Sequence, residues 1–192
     1  MLNSVGTQSL DTPRLLLRRF QRGDGKSAFR NWCGDAAVTT YLKWTAHPYP
    51  LATEQVVNRW IREYHDPLCF HWAITRREYG DVIGGIGLTV WDAADERAEL
   101  GYSLGSAFWG RGFGREAAAA VLRFGFETVG FHRIEAICAA ENQASIGLLA
   151  SLGFQEEGFH REVCRLGDGR FVDCRSFALL AAEYRCPERS VW

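Results

Sequence analysis

The sequence predicts a mixed α+β fold: a central, mostly antiparallel twisted sheet of about seven strands, flanked by about four helices, with one βαβ crossover. Three observations carry that expectation. Short apolar segments with a period of two and turn residues between them fill the first half of the chain. Two segments with helical pattern and clear end signals bracket a strand in the second half. A glycine-rich stretch joins the last strand of the first half to the first of these helices.

The elements follow in order. Residues 14–20, RLLLRRF, read as a strand after Pro13, and Asp24 starts a helix that runs through Trp32. Thr53, with Glu54 in the first turn, opens a second helix whose apolar positions Val56, Val57, Trp60, Ile61 and Tyr64 share one face. In FHWAITRRE, Phe70, Trp72 and Ile74 alternate with their neighbours; Tyr79-Gly80-Asp81 turns the chain, and VIGGIGLTV returns as the second arm of a hairpin. Residues 97–104, RAELGYSL, alternate again. After GSAFWGRGFG comes REAAAAVLRFGFETVG, an Ala-rich helix stopped by Gly130. HRIEAICAA is a strand, Asn142 caps the helix that follows, and Gly153 closes it. The remainder folds as a hairpin turning at Gly167-Asp168-Gly169.

Composition narrows the function. The chain has 192 residues, within reach of one domain spanning 1–192, with 47% apolar and 23% charged residues. With 22 Lys+Arg against 23 Asp+Glu the net charge is −1, which argues against holding a nucleic-acid backbone. No apolar run reaches the roughly 18 residues of a membrane span, and the first twenty residues lack a secretory pattern, so we expect a cytoplasmic protein with no membrane partner. The cysteines at 33, 69, 138, 164, 174 and 186 form no CxxC and read as reduced thiols; Cys164 and Cys174 flank a turn and could approach each other. The histidines at 47, 65, 71, 132 and 160 show no metal-ligand spacing, so no metal is expected, and His71 reads as structural.

The stretch Trp109-Gly110-Arg111-Gly112-Phe113-Gly114-Arg115-Glu116 lies between a strand and a helix start. Free N–H groups and the helix dipole attract anions at such a junction, and glycines admit a phosphate to the backbone. The spacing is not that of a dinucleotide-binding fingerprint, a Walker loop or a kinase loop with its downstream motifs. A plain turn with a helix cap is the alternative.

Further motifs stand in order around this loop. They are TPRLLLR, AELGYSLG, WGRGFG entering an Ala-rich helix, Asn142-x-x-Ser145, Gly153-Phe154, Glu157-Gly158 and Asp168-Gly169-x-x-x-Asp173. Together they resemble the GNAT acetyltransferase superfamily, more narrowly the branch of ribosomal-protein N-terminal alanine and serine acetyltransferases, over about residues 11–184. The family loop Q/R-x-x-G-x-G/A falls on Trp109, Gly112 and Gly114, with Trp109 departing from Gln/Arg. The resemblance implies a GNAT-like sheet and acetyl-CoA as co-substrate. It implies that Arg111, Gly112, Phe113, Gly114, Arg115 and Glu116 hold the pyrophosphate on their backbone N–H groups. It also implies that Ser103, Leu104 and Gly105 face the thioester and pantetheine arm, and that Asn142 touches the same arm.

Acetyl transfer to an amine needs a base, donors for the carbonyl oxygen and help for the leaving thiolate. Glu99 is the candidate base, on one face with Gly101 and Ser103; an outward-facing surface Glu is the alternative. The oxyanion donor is expected near Ser103. The family's acidic Tyr would fall on Leu149 and is missing; Ser145 is the nearest replacement, with binding of the CoA arm alone or a plain cap of the first helical turn as its alternatives, and Tyr184 is a weaker candidate. Residues 41–50 wall the acceptor site in the resembling family, or form a packed surface loop. The implied activity is direct transfer of acetyl to a primary amine, a protein N-terminus or a small-molecule amine. A non-catalytic CoA-binding sensor is the rival reading. Monomer and homodimer both remain open.

Overall fold

The structure is a computed structural model that describes residues 1–185; Cys186 and the rest of the CPERSVW tail lie outside the described residues. Its strands are β1 (Leu10–Asp11), β2 (Leu15–Arg18), β3 (Phe70–Arg76), β4 (Val82–Asp92), β5 (Arg97–Leu104), β6 (Arg133–Ala139), β7 (Gln155–Arg165) and β8 (Phe171–Leu180). They form one sheet in the order β1-β2-β3-β4-β5-β6-β8-β7. Every pair is antiparallel except β5–β6, which the crossover makes parallel. The expected mixed fold is thus present, with eight strands because the two-residue β1 is too short to show a period.

The helices are α1 (Asp24–Ala28), α2 (Pro50–Glu63), α3 (Phe113–Arg123) and α4 (Gln143–Ser151). Beyond α1 the chain continues in a wider π turn, Phe29–Cys33, and beyond α3 in another, Phe124–Val129, which ends at left-handed Gly130. The start expected at Thr53 moves forward to Pro50, whose fixed φ suits the first helical position. Thr53 is buried instead, its hydroxyl 2.8 Å from His47 Nδ1.

Helices cover both faces of the sheet. α3 and α4 lie over one core, with Leu15, Trp72, Ile86, Leu100, Ile134 and Leu179 pointing up from the strands. The run Ala117–Ala120 is wholly buried, since small side chains let the helix lie close to the sheet. α1 and α2 cover the other face of β2–β4, where Phe20, Trp32, Val57 and Ala73 form a second core. β3 is therefore buried on both sides, and only its apolar–polar alternation shows which residue belongs to which core. No helix among the described residues is long and apolar enough to cross a membrane.

His71 sits in the second core beside Trp60 and Phe20, with ring centroids 4.7 and 5.1 Å away. Burial there pulls its pKa down to about 4, against ~6.5 for a free histidine. Between those values the unfolded chain binds a proton that the folded chain refuses, so this contribution to stability is present above pH ~6.5 and is lost as pH falls. Thermal unfolding between about pH 7 and 4.5 should show the wild-type Tm falling and that of His71→Gln falling less. Parallel curves would mean that His71 titrates alike in both states.

Candidate active site

β5 and β6 are in register at Arg97–Arg133, Ala98–Ile134 and Glu99–Glu135, and nowhere else. Beyond Glu99, β5 stays with β4 as far as Gly84–Leu104, and β6 stays with β8 as far as Ala139–Cys174. The two strands part there and leave a wedge-shaped gap. Gly105 donates its amide to Ile83 on β4 at 2.9 Å, and Ser103 is paired with Gly85. Alternation along the strand then turns the amides of Tyr102 and Leu104 into the gap. The donor expected near Ser103 is thus carried by its neighbours.

Side chains alternate as well. Ala98, Leu100, Tyr102 and Leu104 face α3 and α4, while Glu99, Gly101 and Ser103 face the opposite side. On that side Glu99 accepts a hydrogen bond from the Trp91 indole at 2.9 Å. Its neighbour Glu135 is held by Arg97 and Arg133, which keep that carboxyl below the usual range against the opposing effect of burial. Among the described residues Glu99 has no such ion pair. Gly101 leaves open space beside it: a Cβ there would meet nothing within 4 Å. The aromatic wall of Trp32, Trp44 and Trp60 stands on the same side, with Trp32 seated over Gly85. Residues 42–45 pack on the β7–β8 turn, where the Gly167 amide donates to the Leu42 carbonyl at 2.9 Å. The segment 41–50 is thus tied to the hairpin. Asp173 completes this region by accepting the Glu162 amide at 2.8 Å, where β7 bulges.

On the helical side α4 closes over the gap. Asn142 caps it, accepting the Ser145 amide at 3.1 Å. The Ser145 hydroxyl lies 2.5 Å from the Tyr102 hydroxyl. Leu149, at the place of the missing Tyr, is 1% exposed in the core and carries no proton. Burial pushes the Tyr102 phenol up to about 12, with the Ser145 hydrogen bond pulling the other way.

At the mouth, the glycine loop enters α3 with Gly110 and Gly112 at φ 68° and 80°, left-handed positions that favour glycine. The amide of Glu116 donates to the Gly112 carbonyl at 3.0 Å. The free donors of the first turn are therefore those of Phe113, Gly114 and Arg115, and Glu116 leaves the expected phosphate-binding set. Its carboxylate has another task. At 2% exposure it accepts from the Thr12 hydroxyl (2.6 Å), the Arg14 amide (2.8 Å) and Arg14 Nε (2.6 Å). Arg14 also donates to the Arg111 carbonyl at 2.9 Å and lies over the Phe113 ring. Arg14, Arg111 and Arg115 thus gather positive charge at the helix start.

Two further expectations change. Gly105 is a packing glycine: its carbonyl accepts from Phe108, its amide is engaged, and a Cβ would lie 1.8 Å from the Asn31 carbonyl oxygen. Tyr184 stacks on Phe126 at 4.9 Å, beyond the C-terminal end of α3 and roughly 20 Å along the helix from the loop. Of the other expected residues, the gap and its mouth bring together Ser103, Leu104, Arg111 to Arg115, Asn142 and Ser145, with Glu99 at the apex. Leu104 presents its carbonyl to the Trp109 indole at 2.7 Å. Tyr102, Arg14 and Trp91 were missed. Only Tyr102 carried a signal, its place on the core face of an alternating strand. The described cysteines are free; the Cys164 and Cys174 thiols are neighbours, and burial pushes Cys174 up to about 12. No group of three or more His, Cys, Asp or Glu among the described residues could hold a metal ion.

Comparison with known proteins agrees with this geometry. The acetyltransferase (GNAT) domain family matches residues 14–155. An uncharacterized N-acetyltransferase of Bacillus licheniformis, p20, is 35% identical over 182 residues, covering 92% of this chain and 98% of that protein. The [ribosomal protein uS5]-alanine N-acetyltransferase of Escherichia coli K12 is 30% identical over 130 residues, 67% of this chain and 66% of that one. The crystal structure of a GNAT-family acetyltransferase from Bacillus anthracis superposes with a TM-score of 0.80 at 23% identity, covering 92% of this chain and all of the other; at that identity the likeness is one of fold.

Glu116 offers a test of how the loop is held. Glu116→Gln keeps the shape and removes the charge that three donors share. A hydrogen bond to a charged group contributes about 1.5–3 kcal/mol, and Arg14 stays half exposed and solvated. We expect a loss of roughly 3 kcal/mol in urea unfolding. A change below about 1 kcal/mol would show that the loop is anchored elsewhere.

Proposed function

Because this chain belongs to the GNAT acetyltransferase family, whose members are acyltransferase enzymes, we propose that it moves an acetyl group from acetyl-CoA directly to a primary amine. The reading rests above all on the gap that opens beyond Glu99, with a carboxylate at its apex on one face and helix-start amides at its mouth, neither of them paired among the described residues. The residues fit the donor. The amides of Phe113, Gly114 and Arg115, with the guanidinium groups of Arg111 and Arg115, suit a pyrophosphate. The Tyr102 and Leu104 amides suit the thioester oxygen, and Asn142 and Ser145 line the route of the arm between them. Bound there, acetyl-CoA supplies the activated acyl group.

Glu99 takes the proton of the incoming amine, directly or through water, and Trp91 holds its carboxylate in place. Ser145 meets the leaving sulfur. We place the acceptor in the class of protein N-terminal α-amines, which the uS5-alanine relative modifies, with small-molecule amines as the second class. We place the enzyme in the cytoplasm, where the thiols of its cysteines stay reduced. A sensor that binds CoA without turnover is disfavoured, because it would have no use for the unpaired Glu99.

Acetyl-CoA at 100 times its Kd should stabilise the chain by about 2.7 kcal/mol, read as a rise in Tm. In Gly112→Val a branched side chain enters a left-handed position 3.2 Å from Arg14, and calorimetry should show acetyl-CoA affinity falling by roughly tenfold or more. Unchanged affinity would put the phosphates elsewhere.

Glu99→Gln tests the chemistry. An α-amine titrates near ~8 and a Lys-like amine near ~10, so both are largely protonated at pH 7 and need a base. Loss of the base should lower kcat by ~10²–10⁴ with acetyl-CoA affinity intact. Higher pH should restore part of the rate, since solvent then deprotonates the amine. The measurement is kcat against pH, with an acceptor found by screening N-terminal peptides and small amines for thiol release. Overlaid profiles would leave Glu99 no part in the reaction.

A further inference from the structure

The half-buried contact between Tyr102 and Ser145 joins β5 to the first turn of α4 across the gap, between residues 43 apart in sequence. It is the place where the helical side of the gap presents hydroxyl groups. Ser145 also lies near the Cys138 thiol on β6, which burial raises to about 11 and so keeps neutral. One seryl oxygen therefore has a phenol on one side and a sulfur on the other. A phenol is the more acidic of the two hydroxyls and an alcohol oxygen the better acceptor, so Tyr102 donates and Ser145 accepts. The seryl proton is then directed away from the phenol.

We propose that Tyr102 is a positioning residue for the leaving group: it donates to Ser145 Oγ and so aims the seryl proton into the gap, at the sulfur released from the thioester. The inference rests on the acetyltransferase reading above and adds to it a residue that no sequence motif marks for the task. The faces of β5 support it. Glu99 points to one side of the sheet and Tyr102 to the other, so the amine arrives over the carboxylate and the sulfur departs toward the hydroxyls.

The balance of the step limits what Tyr102 does. The amine nitrogen bonds to the acetyl carbon, and the carbon–sulfur bond breaks with the electron pair staying on sulfur. The nitrogen's proton passes to Glu99 and then to water, and the sulfur takes its own proton from water. A thiol titrates ordinarily near ~8.5, well below the Tyr102 phenol at about 12. Tyr102 therefore keeps its proton throughout. It fixes the direction of a hydrogen bond and is no source of acid, and Leu149 leaves no other phenol to take that part.

The test is steady-state kinetics of wild type, Tyr102→Phe, Ser145→Ala, the double variant and Ser145→Thr. Acetyl-CoA Kd and Tm are measured on each. Tyr102→Phe should lower kcat about tenfold and Ser145→Ala about a hundredfold, with Kd nearly unchanged. The double variant should be no slower than Ser145→Ala, because Tyr102 acts through the serine. Ser145→Thr, which keeps a hydroxyl, should recover most of the rate. An unaltered kcat in Tyr102→Phe, or a further tenfold loss when it is added to Ser145→Ala, overturns the inference. So does a loss confined to Kd or Tm. If Tyr102→Phe does not fold, the serine variants decide: Ser145→Ala at the wild-type rate overturns it, and loss in Ser145→Ala with recovery in Ser145→Thr upholds it. A wild type inactive toward every amine removes the acetyltransferase reading itself, and this inference with it.

Discussion

The separation of β5 from β6 after Glu99 is the constraint around which the rest of the structure is arranged. Two parallel strands joined by a crossover helix could pair along their whole length, but here each keeps its outer neighbour and releases the inner one. The main-chain groups on the inner edges lose their strand partners, and unpaired buried amides and carbonyls are costly. The molecule answers with a local substitute, the Trp109 indole on the Leu104 carbonyl. What remains unpaired is available to a substrate.

Holding such a gap open requires rigid walls. On one side a buried carboxylate, Glu116, fastens α3 to the segment before β2 through Thr12 and Arg14, and the same arginine grips the glycine loop by the Arg111 carbonyl. On the other side Phe20, Trp32 and Trp60 pack face to face and tilted, with Trp32 over Gly85 of β4. Gly85 has no room for a side chain beneath Trp32, whereas Gly101 has room and no neighbour. Close packing thus ends beside Gly101.

Charge is distributed to the same effect. Glu135 and Glu157 are held by Arg97 and Arg133, Asp81 by Arg76, and Asp24 by Arg18. Such pairs keep these carboxylates occupied. Glu99, one strand over from Glu135 and in register with it, meets only an indole N–H among the described residues. That difference between two neighbouring glutamates, rather than any feature of either alone, marks one as structural and the other as available.

Much of this was legible in the sequence, because its rules are local. The period of two located the hairpins and β5, and Gly130, Asn142 and Gly153 marked the helix ends through left-handed backbone and side-chain capping. The glycine loop and Glu99 stood out for the same reason: their chemistry depends on residues beside them in the chain. Other features depended on pairings across the fold. Glu116 looked like a loop residue until Thr12, 104 positions away, claimed its carboxylate. Gly105 looked like a ligand contact until the Asn31 carbonyl filled the space beside it. Tyr102 had no role assigned to it until α4 brought Ser145 to its hydroxyl. Propensity, periodicity and capping act over a few residues and are written in order along the chain. Which strand edge stays unpaired, and which polar group meets which, is decided by packing among elements far apart in that order, and so only the tertiary structure could assign them.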